Sequence, residues 1–218
     1  LTNPIFILFM AFANMLGMGG CAVASIAMGE QNGKRVRNAS AFVIYASLAI
    51  GICLCVILMC FMNPILNMFG ADAQTYELAK GYTFHIAYGA PFIIWSAAAS
   101  FVVRAEGASK EAMIGSMIGT VVNIVLDPVM ITGFGLGAAG AAIATTIGNI
   151  LACGYFLWYF LRKSKVFSIH MRDFTLKDSI PASVCRIGFP TAIFSMLMSV
   201  STIVLNQILV AYGNAPVA

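Results

Sequence analysis

Charged residues are scarce in this sequence, and their scarcity excludes an ordinary water-soluble domain. Only 9% of the 218 residues are Asp, Glu, Lys or Arg, whereas 61% are hydrophobic. Soluble globular domains carry about 25% charged residues, so this chain must be solvated mainly by lipid. Its mean hydropathy of +0.92 agrees with that conclusion.

The sequence also lacks the patterns that mark catalytic and metal centres. It has two histidines and contains no HExxH, GxSxG or CxxC pattern. Five of its six cysteines lie within apolar stretches, where a thiol behaves as a small hydrophobic side chain. We therefore predict that the protein is not an enzyme and binds no cofactor or structural metal.

Six apolar stretches are long enough to cross the hydrocarbon core of a bilayer, which takes about 20 helical residues. The fold class that they predict is an all-α integral membrane protein with six transmembrane helices. A basic connection separates the last two stretches. The stretches cover approximately residues 3–28, 39–62, 82–103, 112–134, 137–161 and 187–212.

The basic residues predict how these helices are oriented. Eleven of the twelve Lys and Arg residues lie in the loops after the first, third and fifth stretches, and Lys80 is the exception. The positive-inside rule places those loops in the cytoplasm. The net charge of +4 is thus explained by membrane orientation, and we expect no nucleic acid partner. The first helix then enters from outside, as expected for part of a longer protein with one preceding span.

Polar residues of the fourth and fifth stretches lie on faces that should meet. The two stretches are antiparallel and joined by a short turn near Leu136. Asp127 and Thr145 are each nine residues from Leu136, and Asn123 and Asn149 are each thirteen. Because positions i and i+4 share a helix face, we predict one layered patch of these four side chains.

Asp127 is the acidic residue that lies deep in an apolar stretch. An ionised carboxylate at that depth costs about 3 kcal/mol, so it must be paired, hydrated or protonated. Pro128 has no N–H for the Ile124 carbonyl, and a carboxylate beside free carbonyls is typical of transporter cation sites. We hypothesise that Asp127 binds H⁺ or Na⁺. The alternative is a bend whose carboxylate is satisfied by Asn123 and Thr145.

At this point the sequence resembles a known family. Two segments between Arg104 and Asn149 resemble the multidrug and toxic compound extrusion (MATE) transporters, particularly the bacterial branch: RAEGASKEAM and NIVLDPVMITGFGLGAAGAAIATTIGN. The stretch around the first loop is similar to that family's first conserved loop and reads GMGGCAVASIAMGEQNGKRVRNA. Gly188, Phe189 and Pro190 fit the start of its seventh helix.

The resemblance implies a twelve-helix fold of two six-helix lobes, in which the six stretches correspond to family helices two to seven. Residues 1–161 would then supply most of the N-terminal lobe. Residues 162–186 would form the cytoplasmic connection between lobes, and residues 187–218 the first helix of the C-terminal lobe.

The resemblance also implies roles for particular residues. The family's N-lobe cation site maps to Asn123, Asp127 and Thr145, and is completed by an aspartate of the family's first helix. Thr120 and Asn149 share faces with this site and are expected beside it. Arg104 and Glu106 are expected to anchor helix ends or to gate the transporter.

The implied function is export of amphipathic, often cationic, drugs and toxic compounds in exchange for Na⁺ or H⁺. The implied setting is the plasma membrane of a bacterium, as a multi-pass and monomeric protein whose partners are small-molecule substrates and the lipid bilayer. One alternative is a related flippase for lipid-linked saccharides, although such a protein predicts an Arg-rich cavity and these stretches contain almost no Arg. Another is a scaffold without transport, which would not require Asp127 in a broken helix.

Overall fold

The computed structural model describes residues 3–64, 73–164, 167, 173–174 and 179–211. Within these ranges the chain forms six long helices, each with an apolar stretch long enough to cross a membrane. The prediction of an all-α membrane protein is therefore confirmed. The helices are α1 (Asn3–Gly29), α2 (Gly33–Cys60), α3 (Ala73–Ala105), α4 (Ser109–Pro128), α5 (Gly137–Arg162) and α6 (Ile180–Ala211).

Several helices extend beyond the apolar stretches that predicted them. The third begins at Ala73 rather than near residue 82, and the sixth begins at Ile180 rather than near residue 187. Hydrophobicity marks the segment that lies in lipid, whereas a helix continues into the polar interface as long as its backbone bonds are satisfied. The end of the basic connection is thus helical and belongs to α6.

Helix α3 is the centre of the described structure. It packs against α1, α2, α4 and α5, and its residues Ile93, Ile94, Ala98 and Ala99 are fully buried. Lipid tails are as apolar as these side chains, so close packing rather than the hydrophobic effect holds such helices together. The small side chains on α3 permit the close approach that this packing needs.

Glycines bring α4 and α5 close together at the level of the polar patch. A Cβ built on Gly148 would lie 2.5 Å from the Gly119 carbonyl oxygen and 3.5 Å from the Asn123 backbone nitrogen. No other residue allows backbones to approach so closely. Because the two backbones are so close here, the Asn123 side chain is long enough to reach α5.

The helical backbone changes type where the sequence predicted a break. Pro128 has no N–H, and the Val129 N–H donates to the Leu126 carbonyl instead of the carbonyl four residues back. A π-helical turn then covers Val129–Gly133, and the chain reaches α5 through Gly135 and Gly137, both with positive φ. The proline therefore alters the hydrogen bonding of the chain directly after Asp127 without ending the helix.

Candidate functional site

The central contact of the candidate site joins α4 to α5. The Asn123 Nδ2 donates to Thr145 Oγ1 at 3.0 Å, and the Thr145 hydroxyl donates to the Ala141 carbonyl at 2.9 Å. Asn123 Nδ2 also lies 3.5 Å from Asp127 Oδ1. The structure therefore brings the three predicted site residues Asn123, Asp127 and Thr145 into one partly buried cluster.

The Asp127 carboxylate is weakly held in this cluster. Its contact with Asn123 is at the long limit of a hydrogen bond. No Lys, Arg or His in the described ranges forms an ion pair with it. Those ranges also contain no cluster of three His, Cys, Asp or Glu residues. The groups available to a cation here are thus one carboxylate and neutral amide, hydroxyl and carbonyl oxygens.

Asn149 lies beside the cluster, but its hydrogen-bond partners differ from those expected from its distance to Leu136 along the sequence. Its Nδ2 donates to the Thr145 carbonyl at 2.8 Å, and its Oδ1 accepts from Ser96 Oγ at 2.7 Å. Equal distances from Leu136 had placed Asn149 level with Asn123. In the structure Asn123 instead meets Thr145, which is four residues nearer the connection than Asn149.

Ser96 is a member of the network that sequence reasoning missed. It lies on α3, is 5% exposed, and connects that helix to Asn149. A single serine in an apolar stretch gives no signal in the sequence, because its hydroxyl can bond its own helix, as Ser96 also does to the Ile93 carbonyl. Only the packing of α3 against α5 shows its second partner.

A polar cavity of about 270 Å³ lies between α3, α4 and α5. Thr120 lines it, and its hydroxyl donates to the Ser116 carbonyl at 3.1 Å. Asp127 is not part of the cavity wall and lies beside it. The polar side chains of the wall are Ser96, Ser116, Thr120, Asn123, Thr145 and Asn149. Thr120 and Asn149 thus line the same cavity as Asn123 and Thr145.

Arg104 is in the last turn of α3, and Glu106 is in the loop between α3 and α4. This loop is at the end of α4 opposite to Asp127. Glu106 accepts hydrogen bonds from Tyr159 Oη at 2.8 Å and Ser164 Oγ at 3.0 Å. The exposed Arg104 has its guanidinium 5.4 Å from the centre of the Phe101 ring. Glu106 therefore links the α3–α4 loop to the end of α5.

We expect Tyr159→Phe to lower the free energy of unfolding. Tyr159 is buried, and its hydroxyl donates to a carboxylate, a type of bond that contributes about 1.5–3 kcal/mol. Thermal unfolding in detergent measures the loss. Tyr88→Phe is the matched control, since Tyr88 is 53% exposed on α3. Equal melting temperatures for the two variants would show that the Glu106 anchor contributes nothing.

Comparison with known proteins agrees with the geometry. The MatE family model matches residues 1–129. The chain is 33% identical, over 100% of its length, to the multidrug export protein MepA of Staphylococcus saprophyticus, and covers 48% of that protein. A solved structure described as MATE in complex with MaL6 superposes with a TM-score of 0.91 at 26% identity, over 97% of this chain and 47% of that one.

A second solved structure is an outward-facing multidrug resistance MATE family transporter of the MOP superfamily. It has a TM-score of 0.87 and 27% identity, over 98% of this chain and 48% of that one. The chain spans about half the length of the curated relatives that it matches. Those relatives are bacterial export proteins rather than enzymes, and with six membrane-crossing helices this is a multi-pass plasma-membrane protein. The family model, the relatives and the shared fold together show that the chain belongs to the MATE family.

Proposed function

We propose that the full-length protein is a cation-coupled antiporter that exports amphipathic, often cationic, compounds. In this proposal Asp127 is the carboxylate that couples transport to Na⁺ or H⁺. The observation that carries it is the environment of Asp127, which lies in a membrane-crossing helix with a long contact to Asn123 and no ion pair in the described ranges.

A carboxylate in this position requires a positive partner. Its charge costs about 3 kcal/mol in the centre of a bilayer, and one hydrogen bond of 3.5 Å compensates little of that. A proton removes the charge, and a bound cation neutralises it. The site thus has two states that differ by one cation, which is what an exchange cycle needs.

The neighbouring oxygens suit either ion. Thr145 Oγ1 has a further lone pair beside the one that accepts from Asn123, and Asn123 Oδ1 becomes available when its amide turns. Because Pro128 offers no N–H to the Ile124 carbonyl, that oxygen is a further candidate ligand. Oxygen donors of this kind coordinate Na⁺ in transporters, while the carboxylate alone suffices for a proton.

Binding of a cation would also change how α4 contacts α5. The Asn123 amide bridges Asp127 and Thr145, so a cation that takes the Asp127 oxygens displaces this amide from its place. Thr145 is in turn linked through its carbonyl to Asn149, and Asn149 to Ser96 on α3. The cluster is thus hydrogen-bonded to three helices, and in our proposal the loss of the Asn123 bridge between α4 and α5 is the step that couples cation binding to a movement of the lobes.

Transport in proteoliposomes tests this proposal. The full-length protein is reconstituted, and efflux of a fluorescent organic cation is followed under an imposed Na⁺ gradient and then under a pH gradient. Cation-coupled export requires that one of the two gradients accelerate efflux. Efflux that is indifferent to both would contradict the proposal, and a saccharide-lipid flippase would move no organic cation in either condition.

We expect Thr145→Val to weaken the coupling ion's effect without stopping transport. The change removes the hydroxyl oxygen that we propose as a ligand of the ion, an interaction to which we assign about 1.4 kcal/mol, the usual size of a hydrogen bond. The ion concentration for half-maximal efflux should therefore rise about tenfold. Thr145→Ser keeps the hydroxyl and should keep the wild-type concentration. An unchanged value in Thr145→Val would remove this side chain from the site.

A further inference from the structure

A groove separates α2 from α5 on the outside of the helix bundle. No Cα atoms of these two helices lie within 8 Å of each other in the described ranges, and α3 packs behind both. The groove between them, which we name the α2–α5 groove, has a volume of about 340 Å³. Its floor includes Pro91 and Trp95 of α3, and its walls include Tyr45 and Leu48 of α2 and Gly154 and Leu157 of α5.

Gly154 adds no side chain to the α5 wall of the groove. A Cβ built on this residue would meet no atom within 4 Å, so a larger side chain would project into free space. Leu48 and Leu157 at the rims are 37% and 44% exposed. These rims continue into the exposed apolar side chains of Ile52 and Leu151, on two helices long and apolar enough to cross a membrane. The groove is thus an indentation in an exposed apolar surface.

The groove extends from the cytoplasmic half of the bilayer to about its middle. Leu157 is five residues from Arg162, and Tyr45 is twelve residues from Gly33. At about 1.5 Å per residue, these positions are about 8 and 18 Å from the helix ends that the basic loops assign to the cytoplasm. The middle of a hydrocarbon core of about 30 Å lies between these two depths.

We propose that the α2–α5 groove holds one acyl chain of a membrane phospholipid. Its lining contains no charged residue, and its volume is at the lower end of the range for small-molecule sites, about 300–1,000 Å³. An empty groove would forfeit dispersion contacts on one side of every lining atom. A flexible hydrocarbon chain restores these contacts, and the surface that leads into the groove is apolar and exposed on helices long enough to cross the bilayer.

The occupant is held by shape and not by the hydrophobic effect. A tail that leaves bulk lipid for an apolar groove exchanges one apolar surrounding for another, so the chain is expected to exchange with the bilayer. A test must therefore detect contact rather than tight binding. Trp95 suits this purpose because it lies in the groove floor and is 9% exposed, whereas Trp158 on α5 is 46% exposed.

Quenching of Trp95 fluorescence by brominated acyl chains measures the contact. The full-length protein, with every tryptophan except Trp95 replaced by phenylalanine, is reconstituted in phosphatidylcholine with or without bromine on its chains. We expect at least a twofold decrease of Trp95 emission in the brominated lipid. A protein that retains Trp158 alone should be quenched strongly, which verifies that the quencher reaches the lipid-facing surface.

Filling the groove should protect Trp95. In Gly154→Leu the new side chain occupies the acyl-chain volume, and quenching should fall to less than half of its wild-type extent. Gly154→Ala is the matched control and should leave quenching unchanged. Both substitutions raise helix propensity, and circular dichroism confirms that the variants fold. Should Gly154→Leu fail to fold, Leu157→Ala opens one wall of the groove and should increase quenching.

Two outcomes would overturn the proposal. Emission from Trp95 that is equal in brominated and plain lipid would show that no acyl chain enters, and that another helix or a second protein copy covers the groove. Equal quenching in wild type, Gly154→Leu and Leu157→Ala would show that bromine reaches Trp95 by a route other than the groove.

Discussion

Replacing Asp127 by asparagine should abolish gradient-driven export by the full-length protein and should leave the fold intact or make it more stable. Asparagine has almost the same shape as aspartate, and its Oδ1 can still accept from Asn123, the contact that Asp127 makes at 3.5 Å. It can neither take up a proton at physiological pH nor neutralise a bound cation. Export under the Na⁺ or pH gradient that drives the wild type should therefore fall to the level of empty liposomes.

The stability of this variant separates coupling from a purely structural role. A carboxylate that only held helices together would lower the free energy of unfolding when removed. A carboxylate without a bound cation destabilises the folded state, by about 3 kcal/mol at the bilayer centre. Its removal should therefore keep or raise the melting temperature in detergent. Full efflux by Asp127→Asn would contradict the assignment.

Ser96→Ala is the matched control for Asp127→Asn. It removes the hydroxyl that donates to Asn149 Oδ1 on the neighbouring helix but changes no charge. We expect a loss of about 1 kcal/mol in the free energy of unfolding and export that still responds to the same gradient. Loss of gradient dependence in Ser96→Ala would mean that the whole polar network, rather than one carboxylate, carries the coupling.

The cluster of Asn123, Asp127 and Thr145 could be predicted from the sequence because it follows from two regular features. Residues four apart share a helix face, and antiparallel helices bring residues on either side of their turn to similar depths. Which side chains bond directly could not be predicted in the same way. Asn123 bonds Thr145 rather than Asn149, and Asn149 bonds Ser96 of α3, a helix that a count along α4 and α5 does not include.

Contacts between distant segments were the part that the sequence could not provide. Glu106 and Tyr159 are 53 residues apart, and nothing in either segment alone indicates that they meet. The same holds for the α2–α5 groove, which exists because α2 and α5 both pack on α3 without reaching each other. Hydrophobic stretches define the helices, but the faces through which six nearly uniform helices pack depend on small differences in side-chain shape.

Helix α1 and helix α6 make the closest backbone contact that glycine provides in the described part of the chain. A Cβ built on Gly188 would lie 2.7 Å from the Met15 carbonyl carbon and 3.0 Å from its Cα, and closer still to its oxygen. A Cβ on Gly19 would lie 2.9 Å from the Val184 carbonyl carbon. Asn14 Nδ2 donates to Ser195 Oγ at 3.3 Å beside this contact. The two helices are those that the resemblance assigns to different lobes.

Gly188→Ala should therefore destabilise the protein far more than a single methyl group usually does. The atoms in its way are backbone atoms of α1, which no side-chain rotation can move, so the helices must separate and lose their shared contacts. Overpacking of this kind costs about 1–3 kcal/mol and occasionally more, which exceeds the gain of about 1 kcal/mol from replacing glycine by alanine within a helix.

Gly154→Ala is the matched control, because its new methyl group meets no atom within 4 Å and only the gain in helix propensity remains. Melting temperatures and the monodisperse fraction in detergent should fall for Gly188→Ala and hold or rise for Gly154→Ala. If both variants behaved alike, the contact between α1 and α6 would be loose enough to admit a side chain, and it would not hold these two helices at a fixed distance.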